Sequence, residues 1–236
     1  RVTLNFQKVQ QRKAQIVEQL YVGVQHLIQK GKVDVYHGTG RILGPSIFSP
    51  MPGTISVEMK DGSENEMLIP KNIIIATGSR PRTIDGIHVD GQTILTSDDA
   101  LEMSALPKSI LIVGGGVIGI EWASMLADFE VEVTVLEYSN RILPTEDDDI
   151  SLEMTKLLKK RGIRIKTNAK MDAKTLQISD KGVSISLENG ETYTAEKMLL
   201  CVGRVANIEN IGLENTDIQI DNACIKVNDH FQTKES

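Results

Sequence analysis

Cysteine is nearly absent from this sequence, with two in 236 residues. So few cannot build a disulfide framework, which excludes the small stapled secreted scaffolds and points to a reducing, cytoplasmic setting. Basic charge is short as well. Lysine and arginine number 26 against 32 acidic residues, for a net charge of -6, whereas a nucleic-acid partner would want a basic face. No apolar run approaches the roughly 20 residues needed to cross a bilayer. The start also lacks the charged-then-apolar layout of a secretion signal, so no membrane partner is expected. Four histidines (His26, His37, His88 and His230) have no companions that suggest metal or acid–base work, and no metal site is expected.

What is present is ordinary for a soluble globular fold. The chain is 40% hydrophobic and 25% charged, and long enough for one large domain or two modest ones. Ile16, Leu20, Val24 and Leu27 recur at helical spacing, which predicts an amphipathic helix closed by Gly31 as its C-cap. Residues 32–70 read as short β-rich runs broken by turns, with Asp61–Gly62 opening a hairpin-type loop. "NIIIATGS" (72–79) is solidly apolar, as a strand buried on both faces would be. A connector then ends in a short helix for which Ser97 is the predicted N-cap. From residue 108 the pattern alternates: strand 110–113, helix 117–128, strand 131–136, helix 148–161, strand 163–167. That order predicts parallel strands joined by crossover helices. β-rich runs at 183–187 and 191–195 lead to another buried strand, "KMLLCVGR".

The centre of this alternation is "GGGVIG". Gly114, Gly116 and Gly119 satisfy G-x-G-x-x-G. The first glycine permits the tight turn out of a strand, the second admits a pyrophosphate against the backbone, and the third lets the helix pack close to the sheet. A diphosphate would face the unpaired N–H groups of the helix start, on the favourable end of its dipole. Glu137 closes the next strand about twenty residues on, where a carboxylate can accept both ribose hydroxyls of NAD and repel the extra phosphate of NADP. Glu121 sits in the first turn of the helix, favourable there on dipole grounds alone and equally able to face a nicotinamide ribose.

Two more stretches share one pattern, an apolar strand ending in glycine and a small or polar residue: "IIIATGSRP" and "MLLCVGRVAN". With the cradle, in this order, they resemble the two-dinucleotide-binding flavoprotein disulfide reductases. "GGGVIGIEWAS", "VTVLEYSNRILP", "ATGSRP", "VGRVAN" and "FQTKES" carry the resemblance, which covers essentially the whole chain. It implies an α/β fold: a Rossmann-like NAD-binding domain, with a parallel sheet, helices and a β-meander, inserted in a partial FAD-binding domain. The implied division is 1–79 for the end of the FAD-binding domain, 80–206 for the NAD-binding domain, and 207–236 for the start of the return.

The resemblance assigns NAD contacts to Gly114, Gly115, Gly116, Val117, Ile118, Gly119, Ile120, Glu121 and Glu137, with Met171 and Gly203 as peripheral backbone contacts near the nicotinamide half. It assigns FAD contacts to Gly40, at the adenine end, and to Thr77, Gly78 and Ser79 beside the flavin nucleotide. NADPH-using members carry basic residues around the position of Glu137 and this sequence does not, which supports NAD. The implied partners are the lipoyl domain of an E2 acyltransferase in a 2-oxo acid dehydrogenase complex and a second copy in a homodimer.

The family's chemistry needs a C-x4-C disulfide, and neither cysteine here sits in one. Cys201, inside "LLCVG", reads as a small buried apolar residue and Cys224 as structural. The first FAD glycine fingerprint and the "GD" segment expected after "QTKES" are not in this sequence, nor is the domain bearing a His–Glu pair. His230 and Glu235 match that pair's spacing only by coincidence. The expectation is an internal fragment with no catalytic residue, which keeps the NAD-docking step and binds FAD weakly or not at all. Two alternatives stay open: a related reductase of the glutathione, mercuric or coenzyme A disulfide type, and a non-catalytic NAD-binding module. Strand edges left unpaired in a cut FAD domain predict exposed apolar surface and self-association.

Overall fold

The computed structural model describes residues 3–44 and 53–235. Part of the turn-rich 32–70 stretch and the last residue of "FQTKES" lie outside the described residues. In chain order the elements begin with α1 (Phe6–Lys30), β1 (Gly38–Leu43), β2 (Thr54–Met59), β3 (Glu66–Leu68) and β4 (Ser79–Pro81). There follow β5 (Ile94–Thr96), α2 (Ser97–Leu101), β6 (Ser109–Val113), α3 (Val117–Asp128), β7 (Glu132–Leu136), α4 (Asp148–Lys160) and β8 (Arg164–Lys166). The remainder is β9 (Met171–Ser179), β10 (Gly182–Leu187), β11 (Thr192–Ala195), β12 (Lys197–Leu200), β13 (Arg204–Ala206), β14 (Ile220–Asp221) and β15 (Cys224–Ile225). The chain divides into two compact units. The first holds the residues up to Ile16 and Pro81–Arg204; the second holds Val17–Arg80 and the residues from Val205 on.

The first unit is built on a five-stranded sheet in the order β5-β12-β6-β7-β8, with every pairing parallel. Its central strands β6 and β12 are almost wholly apolar because both faces are covered, whereas the edge strand β8 (Arg164–Lys166) is not buried. Alternate residues of β6 serve the two sides. Ile110 and Ile112 pack with Leu199, Val133, Val135 and the helix residues Ala123, Leu126 and Leu158. Leu111 and Val113 pack with Met198, Leu200 and Leu136 against Val183, Ile185 and Leu187 of β10. That second layer is an antiparallel meander, β11-β10-β9, inserted between β8 and β12. The fold is α/β with a Rossmann-like parallel sheet, helices and a meander, as the alternation predicts.

Local caps account for the element ends. Helix α2 is capped by Thr96, not Ser97: the Thr96 side chain accepts from the Asp99 amide while the Asp99 carboxylate takes the Thr96 amide. A reciprocal box needs its acidic partner three residues on, and Asp99 stands there for Thr96, whereas Ala100 would for Ser97. Helix α1 ends in a Schellman arrangement, with the Val33 amide donating to Ile28 O; Gly31 is its C-cap, and the left-handed residue is Lys32, at φ 52°. At the other end of α1, Phe6 meets Phe129 edge-on with ring centroids 6.3 Å apart, and Gln10 and Lys13 donate to the carbonyl of Leu101.

In the second unit β1, β2 and β3 form an antiparallel sheet. The Asp61–Gly62 turn opens the loop between β2 and β3, with the Asp61 carboxylate accepting from the Ser63 amide and hydroxyl. β14 and β15 form a two-residue hairpin in which Asn222 and Ala223 both take positive φ. The apolar segment 73–78 is not the doubly buried strand its composition predicts. Among the described residues no strand pairs with it, and Ile74 is 91% exposed. An isoleucine run gives a segment the capacity to be a central strand, but neighbours on both sides supply the burial. The apolar stripe of α1 is open likewise: Leu20 and Leu27 are exposed.

Candidate dinucleotide site

The glycine loop joins β6 to α3, and the three fingerprint glycines are required for different reasons. Gly114 has φ +107°, and a Cβ there would lie 2.2 Å from the carbonyl oxygen of Cys201. At Gly119 a Cβ would lie 2.0 Å from the Gly114 carbonyl oxygen, so only glycine lets α3 start this close to the strand. Gly116, the N-cap of α3, has neither constraint: nothing lies within 4 Å of a Cβ built on it, and its φ is −73°. Gly116 stands at an N-cap, where glycine is common, and a Cβ there would meet no packing clash, so the main chain is open at this point. The first amides of α3 have no partner within the helix and point the same way, giving the chemistry of an anion cradle.

Glu137 follows β7 and is 6% exposed. Its carboxylate accepts from the Gly115 amide at 2.5 Å and from the Ser139 amide at 2.6 Å. Its backbone is tied as firmly, the amide to Lys166 O and the carbonyl to the Ala169 amide, both at 2.8 Å. A buried carboxylate with two N–H donors is held in one orientation and keeps free lone pairs for a diol.

These groups converge on a cavity of about 450 Å³. Gly114, Gly116 and Glu137 line it, together with Met171 at the start of β9 and Gly203 just past β12. Gly203 has φ +102°, and its carbonyl accepts from the Arg82 amide at 3.0 Å. Cys201 closes the floor. Burial pushes its thiol up to about 12, so it is an inert apolar wall. Val117 is exposed at the loop, while Ile120 is buried and anchors the helix in the core. Ile118 is partly buried against the same core. Glu121 is exposed and lines a separate groove along α3 and α4 with Ser124 and Met154.

Gly40, Thr77, Gly78 and Ser79 belong to the second unit and are not in this cavity. Gly40 lies in β1 opposite Val57. The Thr77 hydroxyl donates to Asn207 O at 2.6 Å, and the Asn207 amide donates to Gly78 O at 3.0 Å. Beside them Arg80 forks onto Glu209, which holds that carboxyl down at about 2. Cys224, expected to be structural, has an exposed thiol.

Sequence reasoning missed Tyr138 and Lys170, which line the cavity with Glu137. Lys170 is a basic neighbour of Glu137 in space though not in sequence. It is delivered by the turn between β8 and β9, where the Asn168 amide bonds Ser139 O. Among the described residues no helix is long and apolar enough to cross a membrane.

A glycine loop, a helix start and a buried carboxylate on one parallel sheet define a Rossmann-like α/β unit. The chain belongs to the pyridine nucleotide-disulphide oxidoreductase family, whose pattern matches residues 2–236. It is 64% identical to a dihydrolipoyl dehydrogenase of Bacillus subtilis over 238 residues, covering 100% of this chain and 50% of that protein. Against a dihydrolipoyl dehydrogenase of Zymomonas mobilis the identity is 38%, over 96% of this chain and 47% of the relative. The solved structure of LpdA from Mycobacterium tuberculosis superposes with a TM-score of 0.89 at 25% identity, over 100% of this chain and 50% of that one. The Escherichia coli flavoprotein disulfide reductase RclA shares the fold with a TM-score of 0.84 at 24% identity, over 98% of this chain and 51% of that one. The chain spans about half the length of the curated relatives it matches.

Proposed function

We propose that this chain is the NAD-docking portion of a dihydrolipoyl dehydrogenase. The complete protein would oxidise dihydrolipoyl groups carried on the lipoyl domain of an E2 acyltransferase, through a redox disulfide and FAD, and reduce NAD+ to NADH. It would act as a homodimer in the cytoplasm within a 2-oxo acid dehydrogenase complex. The observation that carries the reading is Glu137, a buried carboxylate fixed by the Gly115 and Ser139 amides beside a glycine loop whose main chain is open at Gly116. The similarity to proteins named dihydrolipoyl dehydrogenase supports the substrate class.

Gly116 and the first amides of α3 would hold the diphosphate, and Glu137 would accept the hydroxyls of the adenosine ribose. Gly203 and Met171 would flank the bound molecule through their backbones. When bound, nicotinamide would supply hydride chemistry; this chain's residues would bind and orient it, and the thiol lining the cavity, Cys201, is buried and protonated. Gly40 and Thr77–Ser79 would meet the FAD only when the remaining flavin contacts are present.

Titration with NADH and NADPH tests this, following quenching of the single tryptophan, Trp122 on α3, and the melting temperature. Saturable NADH binding is expected, with NADPH roughly tenfold or more weaker, because a 2′-phosphate would meet the buried carboxylate. Silence of both signals with both nucleotides would overturn the reading.

A further inference from the structure

We propose that Arg141 is a positioning residue for the diphosphate, acting through Leu143 on the orientation of the Gly115–Gly116 peptide. The inference rests on the reading of the glycine loop as a diphosphate cradle. Gly115 is held at both of its backbone groups from outside that loop. Its amide donates to Glu137, and its carbonyl accepts from the Leu143 amide at 2.7 Å. The Gly115 carbonyl and the Gly116 N–H belong to one planar trans peptide, in which the two point in opposite directions. Fixing the carbonyl toward Leu143 therefore aims the Gly116 N–H away from it. Gly116 lines the cavity, whereas Arg141 and Leu143 do not.

Leu143 makes this bond from a conformation that leucine disfavours. Its φ is 48°, in the left-handed region, where a Cβ crowds the backbone. Such strain persists only where the surroundings over-determine it, and the loop between β7 and α4 supplies the constraints. Just before Leu143, the buried Ser151 hydroxyl donates to the Ile142 carbonyl at 2.6 Å. At Leu143 itself, the carbonyl accepts from the Glu146 amide at 3.0 Å. Just after it, Arg141 Nη2 donates to the carbonyls of Pro144 and Glu146, at 3.0 and 3.1 Å. The same guanidinium pairs with Asp148 in the first turn of α4. Arg141 thus closes the loop from outside while the buried Leu143 side chain anchors it in the core. Ile142 completes the brace, since a Cβ on Gly115 would lie 2.9 Å from its Cγ2.

The test uses the 236-residue chain, with NADH, ADP and adenosine as probes. Arg141→Ala is expected to weaken NADH and ADP binding by roughly two- to tenfold, the fold-change of one hydrogen bond of ordinary net strength. Adenosine, which has no phosphate, should bind both forms equally. Methylguanidinium should restore NADH affinity to the variant and do nothing for the parent. The Leu143 amide should exchange faster in the variant, while Ile110 and Ile112 in β6 keep their protection. Ser151→Ala frees the other end of the brace, so it should show the same loss confined to the phosphate-bearing probes, and it decides the matter should Arg141→Ala not fold. Unchanged NADH and ADP binding overturns the positioning role and leaves the cradle standing, as does an equal loss of adenosine. Failure of the parent chain to bind either NADH or ADP removes both.

Discussion

The Glu137 carboxylate accepts a 2.5 Å hydrogen bond from the Gly115 amide, 22 residues away in the chain. One contact thereby joins the end of β7 to the glycine loop after β6, and the acidic half of the fingerprint to its glycine half. The loop is held by the same group that would hold the sugar.

Removing that group should therefore cost both stability and binding. Glu137→Ala leaves the Gly115 and Ser139 amides without their acceptor, a loss of about 1–3 kcal/mol. Glu137→Gln keeps one acceptor oxygen and removes the charge, so the preference for NADH over NADPH should shrink. Calorimetric melting and paired titrations check both. An unaltered nucleotide preference in the glutamine variant would contradict the role given to the carboxylate.

Two glycines should separate folding from binding. Alanine at Gly114 needs φ near +107° and meets the Cys201 carbonyl, so the variant should lose about 1–3 kcal/mol or more and melt early. Alanine at Gly116 has open space and an ordinary φ, so the fold should persist with a change of roughly 1 kcal/mol or less. Its methyl group projects where the diphosphate would lie, and NADH affinity should fall by about tenfold or more. Equal NADH binding by Gly116→Ala and the parent would count against the cradle.

The two thiols should react unequally. Burial pushes Cys201 up to about 12, whereas Cys224 is exposed. Iodoacetamide at pH 8 should label Cys224 alone in the folded chain and both after unfolding, as peptide mass spectrometry would show. A thiol whose pKa is raised on folding makes stability fall as pH rises. The contribution is complete below the ordinary thiol pKa and is lost between about pH 9 and 12, where the unfolded chain ionises first.

Glu209 should titrate in the opposite sense. The Arg80 guanidinium holds its carboxyl down at about 2. Its contribution to stability is present above the usual carboxylate pKa and disappears as pH falls toward 2. Carboxyl NMR titration should show this low value, and Arg80→Ala should return it toward the ordinary range.

How much of this could be read from the sequence depends on how local each signal is. G-x-G-x-x-G at 114–119 with Glu137 located the loop between β6 and α3 and the end of β7, because a tight turn, a helix start and the end of the next strand follow one another along the chain. The cap of α2 is Thr96 and not Ser97, because two adjacent hydroxyl residues compete and the box spacing to Asp99 favours Thr96, a sequence signal that was there to be used. The run at 73–78 misled for a different reason. Apolar composition states what a strand tolerates, while Ile74 at 91% exposure shows that coverage comes from elsewhere.

By itself the sequence determined the alternation of strands and helices from residue 108 to 167, the glycine loop and the acidic end of β7, since each is set by backbone sterics and periodicity over a few residues. Tertiary structure decided what closes the cavity. Parallel pairing of β12 with β6 puts Cys201 and Gly203 beside Gly114, and the turn from β8 into β9 delivers Lys170 to the ring of Tyr138. Residues so far apart in the chain meet only because both faces of the sheet must be covered. The burial that satisfies that demand is a property of the packed fold and of no single segment.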